Sequence, residues 1–255
     1  MELFDQHCHL DDEQFNNDRE ALVKELFNSG VTNMISAGYS LEGSKNAWKL
    51  AKKYDFIHST IGISPNDIGD NVTEELKEID NLLMNKDDNI VAVGEIGLDY
   101  HYDTDKNVQK EVFIYQIGLA NKYELPIVIH TRDAVMDTIE ILKANPVVNK
   151  GVFHCCPFNR ELVKEALKLG FYISVAGPVT FKNAVNAKEH IEQIPLDRLL
   201  VETDSPYLSP EPKRGTRNDS RNVKYIVEKI AEFKGMNPEE IAEITYNNAK
   251  KLYGI

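Results

Sequence analysis

The sequence predicts an α/β protein and, within that class, a (β/α)8 TIM barrel. Three observations carry this reading. Eight short, β-rich apolar runs recur along the 255 residues, and helical patterns separate them. Several runs are apolar throughout, as parallel strands covered on both faces require. No glycine lies between Phe4 and Asp12, where an open doubly wound sheet would place its phosphate loop.

The first run, residues 3–4, leads straight into Asp5-Gln6-His7-Cys8-His9. Extended side chains alternate, so His7 and His9 face one way and Cys8 the other. Leu22, Val23, Leu26 and Phe27 then repeat at helical spacing after Asp18 and stop at Gly30. Runs at 31–36 and 56–61 flank a helix over 40–53. Leu76, Ile79, Leu82 and Leu83 follow Thr73, with Glu74 and Glu75 suited to the first-turn dipole. Runs at 90–93, 127–129 and 151–153 alternate with helices over 105–122 and 133–144. Leu162, Val163, Ala166, Leu167 and Leu169 form the next helical face, from Asn159 to Gly170. Runs at 171–175 and 199–201 bracket a helix over 181–193, and helices over 220–233 and 238–251 finish the chain. Nothing divides the sequence, so residues 1–255 are expected to form one barrel domain.

Composition, at 42% apolar and 27% charged, is that of an ordinary globule. No apolar run is long enough to span a bilayer, and the N-terminus shows no signal-peptide pattern. Three cysteines give no disulfide framework, so a cytoplasmic setting is expected. A formal charge of −12 argues against loose binding along duplex DNA, though an enzyme gripping a strand end through a few cations remains compatible.

Residues that bind metals recur at the ends of the apolar runs. His7 and His9 follow the first, Glu95 the fourth, His130 the fifth, His154 the sixth and Asp204 the eighth. A barrel builds its sites at the C-terminal ends of its strands. Singly, each has an ordinary reading as a hydrogen-bonded histidine, a buried ion-pair partner or a helix cap. Together they suffice for two divalent ions, Mg²⁺, Mn²⁺ or Zn²⁺, sharing a carboxylate.

Four motifs carry a family resemblance: Asp5-Gln6-His7-Cys8-His9-Leu10-Asp11, Gly94-Glu95-Ile96-Gly97-Leu98-Asp99-Tyr100, Val128-Ile129-His130-Thr131-Arg132-Asp133-Ala134 and Glu202-Thr203-Asp204-Ser205-Pro206-Tyr207-Leu208. In this order they resemble the TatD family of metal-dependent deoxyribonucleases, in the amidohydrolase superfamily, and its branch that keeps His-x-His. Arg214-Gly215-Thr216-Arg217-Asn218 and Asn248-Ala249 also match, so the resemblance covers the whole chain. It implies a (β/α)8 barrel, two divalent ions and phosphodiester hydrolysis. It places one ion on His7, His9, Glu95 and Asp204 and the other on Glu95, His130 and His154. Asp204 would take the proton of the attacking water. The chain departs from the pattern at Ser64 and Asn66, where the family often has histidines, and at Cys156-Pro157-Phe158. Ser220 replaces a usual proline.

Around this set, Arg132 lies two residues past His130 and suits a phosphate clamp. Lys213, Arg214, Arg217, Arg221 and Lys224 form a basic stretch after Asp204, expected either to grip a nucleic-acid backbone or to pair with surface carboxylates. Glu202 shares a face with Asp204 and is expected behind a ligand imidazole. Asp99 and Tyr100 are expected to orient Glu95 or stack on a base. Cys8 and Cys155 should lie under the helices, Cys156 should pack, and His190 should sit on a surface helix. The sequence therefore predicts a monomeric exonuclease acting on single-stranded or frayed DNA ends through a two-metal-activated water. The alternatives are a hydrolase of a small ester, amide or aminoacyl-tRNA ester, and an inactive metal-binding scaffold.

Overall fold

A computed structural model describes all 255 residues. Eight parallel strands pair in chain order: β1 (Leu3–Cys8), β2 (Val31–Ser36), β3 (Ile57–Ile61), β4 (Ile90–Asp99), β5 (Ile127–Arg132), β6 (Gly151–Phe153), β7 (Tyr172–Val175) and β8 (Leu199–Val201). Past the end of β8, Asp204 N donates to His7 O (3.0 Å) and His9 N donates to Ser205 O (2.7 Å), joining the last strand's extension to the first. The fold is the (β/α)8 barrel that the alternation predicts.

The crossover helices are α1 (Arg19–Asn28), α2 (Leu41–Lys53), α3 (Val72–Met84), α4 (Lys106–Lys122), α5 (Val135–Ala144), α6 (Arg160–Lys168) and α7 (Ala187–Glu192). They are followed by α8 (Val223–Lys234) and α9 (Pro238–Tyr253). The Asn159 side chain caps α6 by accepting from Leu162 N (3.0 Å), as its sequence position suggests.

Two elements differ from expectation. The helix expected over 181–193 contracts to α7, preceded by a 3-10 turn at Gly177–Thr180. Phe181 is extended instead, with the Arg214 guanidinium 3.9 Å from its ring centre, so a tertiary contact overrides helical propensity. In turn β4 runs six residues past Val93, because Gly94 and Gly97 disguise its second half as a loop. Gly97 pairs with His130 of β5, and a Cβ there would stand 2.0 Å from the His130 carbonyl oxygen. Only glycine allows that approach. Glu95 consequently lies within β4 rather than beyond its end.

One apolar layer fills the space between strands and helices, built from residues such as Met34, Phe113, Ile129, Leu162 and Ile226. A second fills the barrel interior, with Phe4, Ala92, Val128, Val152 and Leu200 packed against Ala249 and Tyr253 of α9. The Tyr253 ring lies 6.4 Å from Phe4 near the start of β1. The C-terminal helix thus plugs the N-terminal end of the barrel and leaves the opposite end for chemistry.

Candidate metal centre

Parallel strands aim the ends of β1, β4, β5, β6 and β8 at one mouth, and the six ligand-type side chains meet there. Glu95 stands at the centre with its two oxygens turned to different neighbours. Oε1 lies 2.9 Å from His130 Nδ1 and 3.3 Å from His154 Nε2. Those two nitrogens are 3.1 Å apart, which completes a triangle of donors. Oε2 faces His7 Nε2 (3.4 Å) and His9 Nε2 (3.8 Å). Asp204 Oδ1 closes that side at 3.3 Å from His9 Nε2 and 3.7 Å from His7 Nε2. Asp204 itself has a left-handed backbone (φ 54°), a strained geometry for a non-glycine residue that points its carboxylate back toward β1.

Two of the imidazoles are held from behind by carboxylates. His130 Nε2 lies 3.0 Å from Asp99 Oδ2, which leaves Nδ1 for the centre. His154 Nδ1 lies 3.2 Å from Glu202 Oε1, which leaves Nε2. Asp99 therefore orients His130 rather than Glu95, correcting the expectation from sequence. Its Oδ2 also accepts from Asn66 Nδ2 (3.2 Å), a contact that no sequence pattern announced.

The electrostatics follow from packing acids and bases together out of water. Burial alone would raise the Glu95 carboxyl, but His154, His130 and His7 hold it well below the usual carboxylate range. Burial opposes a charged His9, yet Asp204 and Glu95 outweigh it and push that histidine up to about 9. Likewise His154 is held well above its ordinary value, because Glu95 and Glu202 outweigh its burial. His7 goes the other way, lowered by burial and by neighbouring His154. The cluster thus offsets its carboxylates with imidazolium protons, a role divalent cations would fill more completely.

Whether the residues fit such cations is answered by unpaired atoms. Both ring nitrogens of His7 and Nδ1 of His9 are buried without a hydrogen-bond partner, a cost that metal coordination removes. Three overlapping sets, His7–His9–Glu95, His7–His154–Asp204 and Glu95–His130–His154, keep their donor atoms within 4.8 Å of one another. Imidazole and carboxylate donors without thiolate, around an open cavity, suit a catalytic divalent ion rather than a closed structural zinc. The residues fit.

The mouth opens into a cavity of about 560 Å³. Arg132 is the sole arginine or lysine on its wall and has no carboxylate partner, with Tyr102 5.6 Å from its guanidinium. Tyr39 and Tyr207 add aromatic surface, while Asp12 and Asp67 add negative charge. Three larger hollows, near α1, near α7 and between α3 and α4, contain no comparable donor cluster.

The basic stretch lies elsewhere. Arg217 forms a two-pronged pair with Asp18 (2.9 and 2.6 Å), and Arg221 pairs with Asp219 and Glu25. Arg214 sits over Phe181. Neither Arg214 nor Arg217 lines the cavity; the alternative of pairing with surface carboxylates describes Arg217 and Arg221, whereas Arg214 has no carboxylate partner and stacks on Phe181. Two smaller readings also change. His190 is buried against Phe158 rather than on the surface. Cys155, expected under the helices, is only partly buried, its backbone N–H donating to Glu202 Oε1 (2.7 Å), and Cys156 packs into the core as expected.

Comparisons with known proteins agree with this fold. The family model described as TatD related DNase matches residues 4–254. A Bacillus subtilis protein named uncharacterized metal-dependent hydrolase YabD is 45% identical, over 99% of both chains. The Escherichia coli K12 protein named uncharacterized metal-dependent hydrolase YcfH is 36% identical, covering 100% of this chain and 97% of its own. Among solved structures, the E. coli TatD homolog YJJV superimposes with a TM-score of 0.93 at 27% identity, covering 99% of this chain and 98% of that one.

Proposed function

The chain belongs to the TatD family of metal-dependent hydrolases, and from that premise we propose that it hydrolyses DNA phosphodiester bonds, working from single-stranded or frayed ends. The observation that carries this reading is the unpaired Arg132 guanidinium in the same cavity as the donor cluster. A planar fork of N–H donors with no partner suits the oxygens of a phosphate.

Two ions are the natural complement of a carboxylate with one oxygen turned to each donor set. His7, His9, Glu95 and Asp204 would hold one, and Glu95, His130 and His154 the other. When bound, they would supply Lewis acidity and ease the deprotonation of water.

The chain's own groups do the rest. Arg132 donates to the non-bridging oxygens and stabilises the charge that grows on them as the phosphorus is attacked. Asp204, kept ionised because His9 outweighs its burial, accepts the proton of the attacking water. Asp99 and Glu202 keep the two imidazoles in the tautomers that leave one nitrogen each toward the cluster. Tyr102 and Tyr207, each about half exposed at the rim, offer faces on which an unpaired base stacks.

A second reading, hydrolysis of a small ester or an aminoacyl ester, is favoured by Asp12 and Asp67 on the cavity wall, which repel a polyanion. A 5′-labelled single-stranded oligonucleotide incubated with Mg²⁺, Mn²⁺ or chelator separates the two. We expect a metal-dependent ladder of shortened products, absent in Glu95→Ala and slowed about 100-fold in Arg132→Ala. An intact oligonucleotide, with protein that still binds metal, would leave the small-ester reading in its place.

A further inference from the structure

We propose that the Tyr253 hydroxyl, on the helix that plugs the far end of the barrel, is a positioning group for the metal centre. It sets the Gln6 amide, which sets Glu202, which sets His154. Tyr253 is 7% exposed, and its hydroxyl donates to Gln6 Oε1 at 2.8 Å. Burial and the nearby Glu202 keep that hydroxyl protonated, so it stays a donor.

An amide side chain has an acceptor end and a donor end, and its environment decides which way it turns. With Oε1 committed to Tyr253, the Gln6 amino group must face the other way. There it donates to Ser174 Oγ (2.8 Å) and to Glu202 Oε2. A turned amide would set its oxygen against a carboxylate. Glu202, steadied on that side, accepts from Cys155 N (2.7 Å) and His154 Nδ1 (3.2 Å) through Oε1. His154 then presents Nε2 to Glu95. Every link is buried, and the chain crosses the barrel interior from floor to mouth.

A tyrosine needed only for packing would lose nothing on becoming phenylalanine, because the ring against Phe4 remains. The test is therefore Tyr253→Phe in the full-length protein, with Mn²⁺ binding followed by the free-ion electron paramagnetic resonance signal. We expect affinity to fall about 3- to 10-fold, less than the roughly 10- to 100-fold typical when a direct partner of a ligand histidine is removed. The His154 Nδ1–H resonance should shift, and the melting temperature should fall by only the few degrees that one unpaired buried acceptor costs. Gln6→Met should weaken binding at least as much, and adding Tyr253→Phe to it should cost nothing further. Ala249→Gly, which loosens the same helix but keeps the hydroxyl, serves as the control. Wild-type Mn²⁺ affinity in Tyr253→Phe, additive losses in the double variant, or an equal loss in Ala249→Gly would each overturn the proposal. Mn²⁺ binding is read without substrate, so the result is independent of whether DNA is cleaved.

Discussion

The two sides of the metal centre are built differently. On the β5–β6 side, His130 and His154 each have a carboxylate behind the ring, and each carboxylate has an amide side chain on it: Asn66 on Asp99 and Gln6 on Glu202. On the β1 side, His7 has neither nitrogen paired and His9 has Nδ1 unpaired. One side is thus oriented by hydrogen bonds before any ion arrives. The other relies on strand parity and on the ion itself. Pre-orientation matters because a ring free to turn must be ordered when it binds, and that entropy is subtracted from affinity.

The widest separation between the sides should come from Glu202→Gln. Loss of the carboxylate behind His154 should weaken one Mn²⁺-binding step about 10- to 100-fold and leave the other within about twofold. Equal weakening of both steps would mean that the sides are not independent, and calorimetric titration distinguishes the outcomes.

His190 supplies a benchmark for what burial does to an unpartnered imidazole, as in His7 but away from the cluster. Both its ring nitrogens are unpaired, and burial pushes it down to about 4. A histidine lowered in the fold stays neutral there while the unfolded chain takes up a proton below its ordinary 6.5. Its contribution is therefore complete above that value and is lost as pH falls toward 4. His190→Leu should flatten the acid side of the stability curve by about 2–3 kcal/mol between pH 7 and 4, measured by urea unfolding. An unchanged acid slope would show that His190 finds a proton acceptor in solution.

Asn66→Ala should give the smallest change. Removing a neutral donor from Asp99, one step behind His130, should weaken Mn²⁺ binding about two- to fivefold. A loss as large as that of Glu202→Gln would mean that the His130 arm depends on its amide more than on its carboxylate.

Much of this centre was legible in sequence because strand periodicity is rigid. His7 and His9 share parity, and His130, His154 and Asp204 each follow an apolar run, so a barrel has little choice but to bring them to one mouth. Reading failed where backbone geometry broke the period. Cys155 has φ 38°, two residues past the end of β6, so strand alternation does not carry through to it, whereas Cys156 packs as expected. It left two alternatives open where partners are remote: Asp18 stands 199 positions from Arg217, and Glu25 196 from Arg221. The local sequence offers only Asp219 as counter-charge, so gripping a nucleic-acid backbone and pairing with surface carboxylates stood side by side.

What the sequence determined by itself is the alternation of buried strands and amphipathic helices, and with it the barrel and the cluster of histidines and carboxylates at its mouth. Those features depend on local periodicity, which a linear chain displays. Only the tertiary structure decided which oxygen of Glu95 faces which histidines, that Asn66 and Gln6 stand behind Asp99 and Glu202, and that Tyr253, the last residue of α9, reaches into the barrel. Those contacts join positions distant in the chain through hydrogen bonds of fixed direction, and no local pattern encodes such directions.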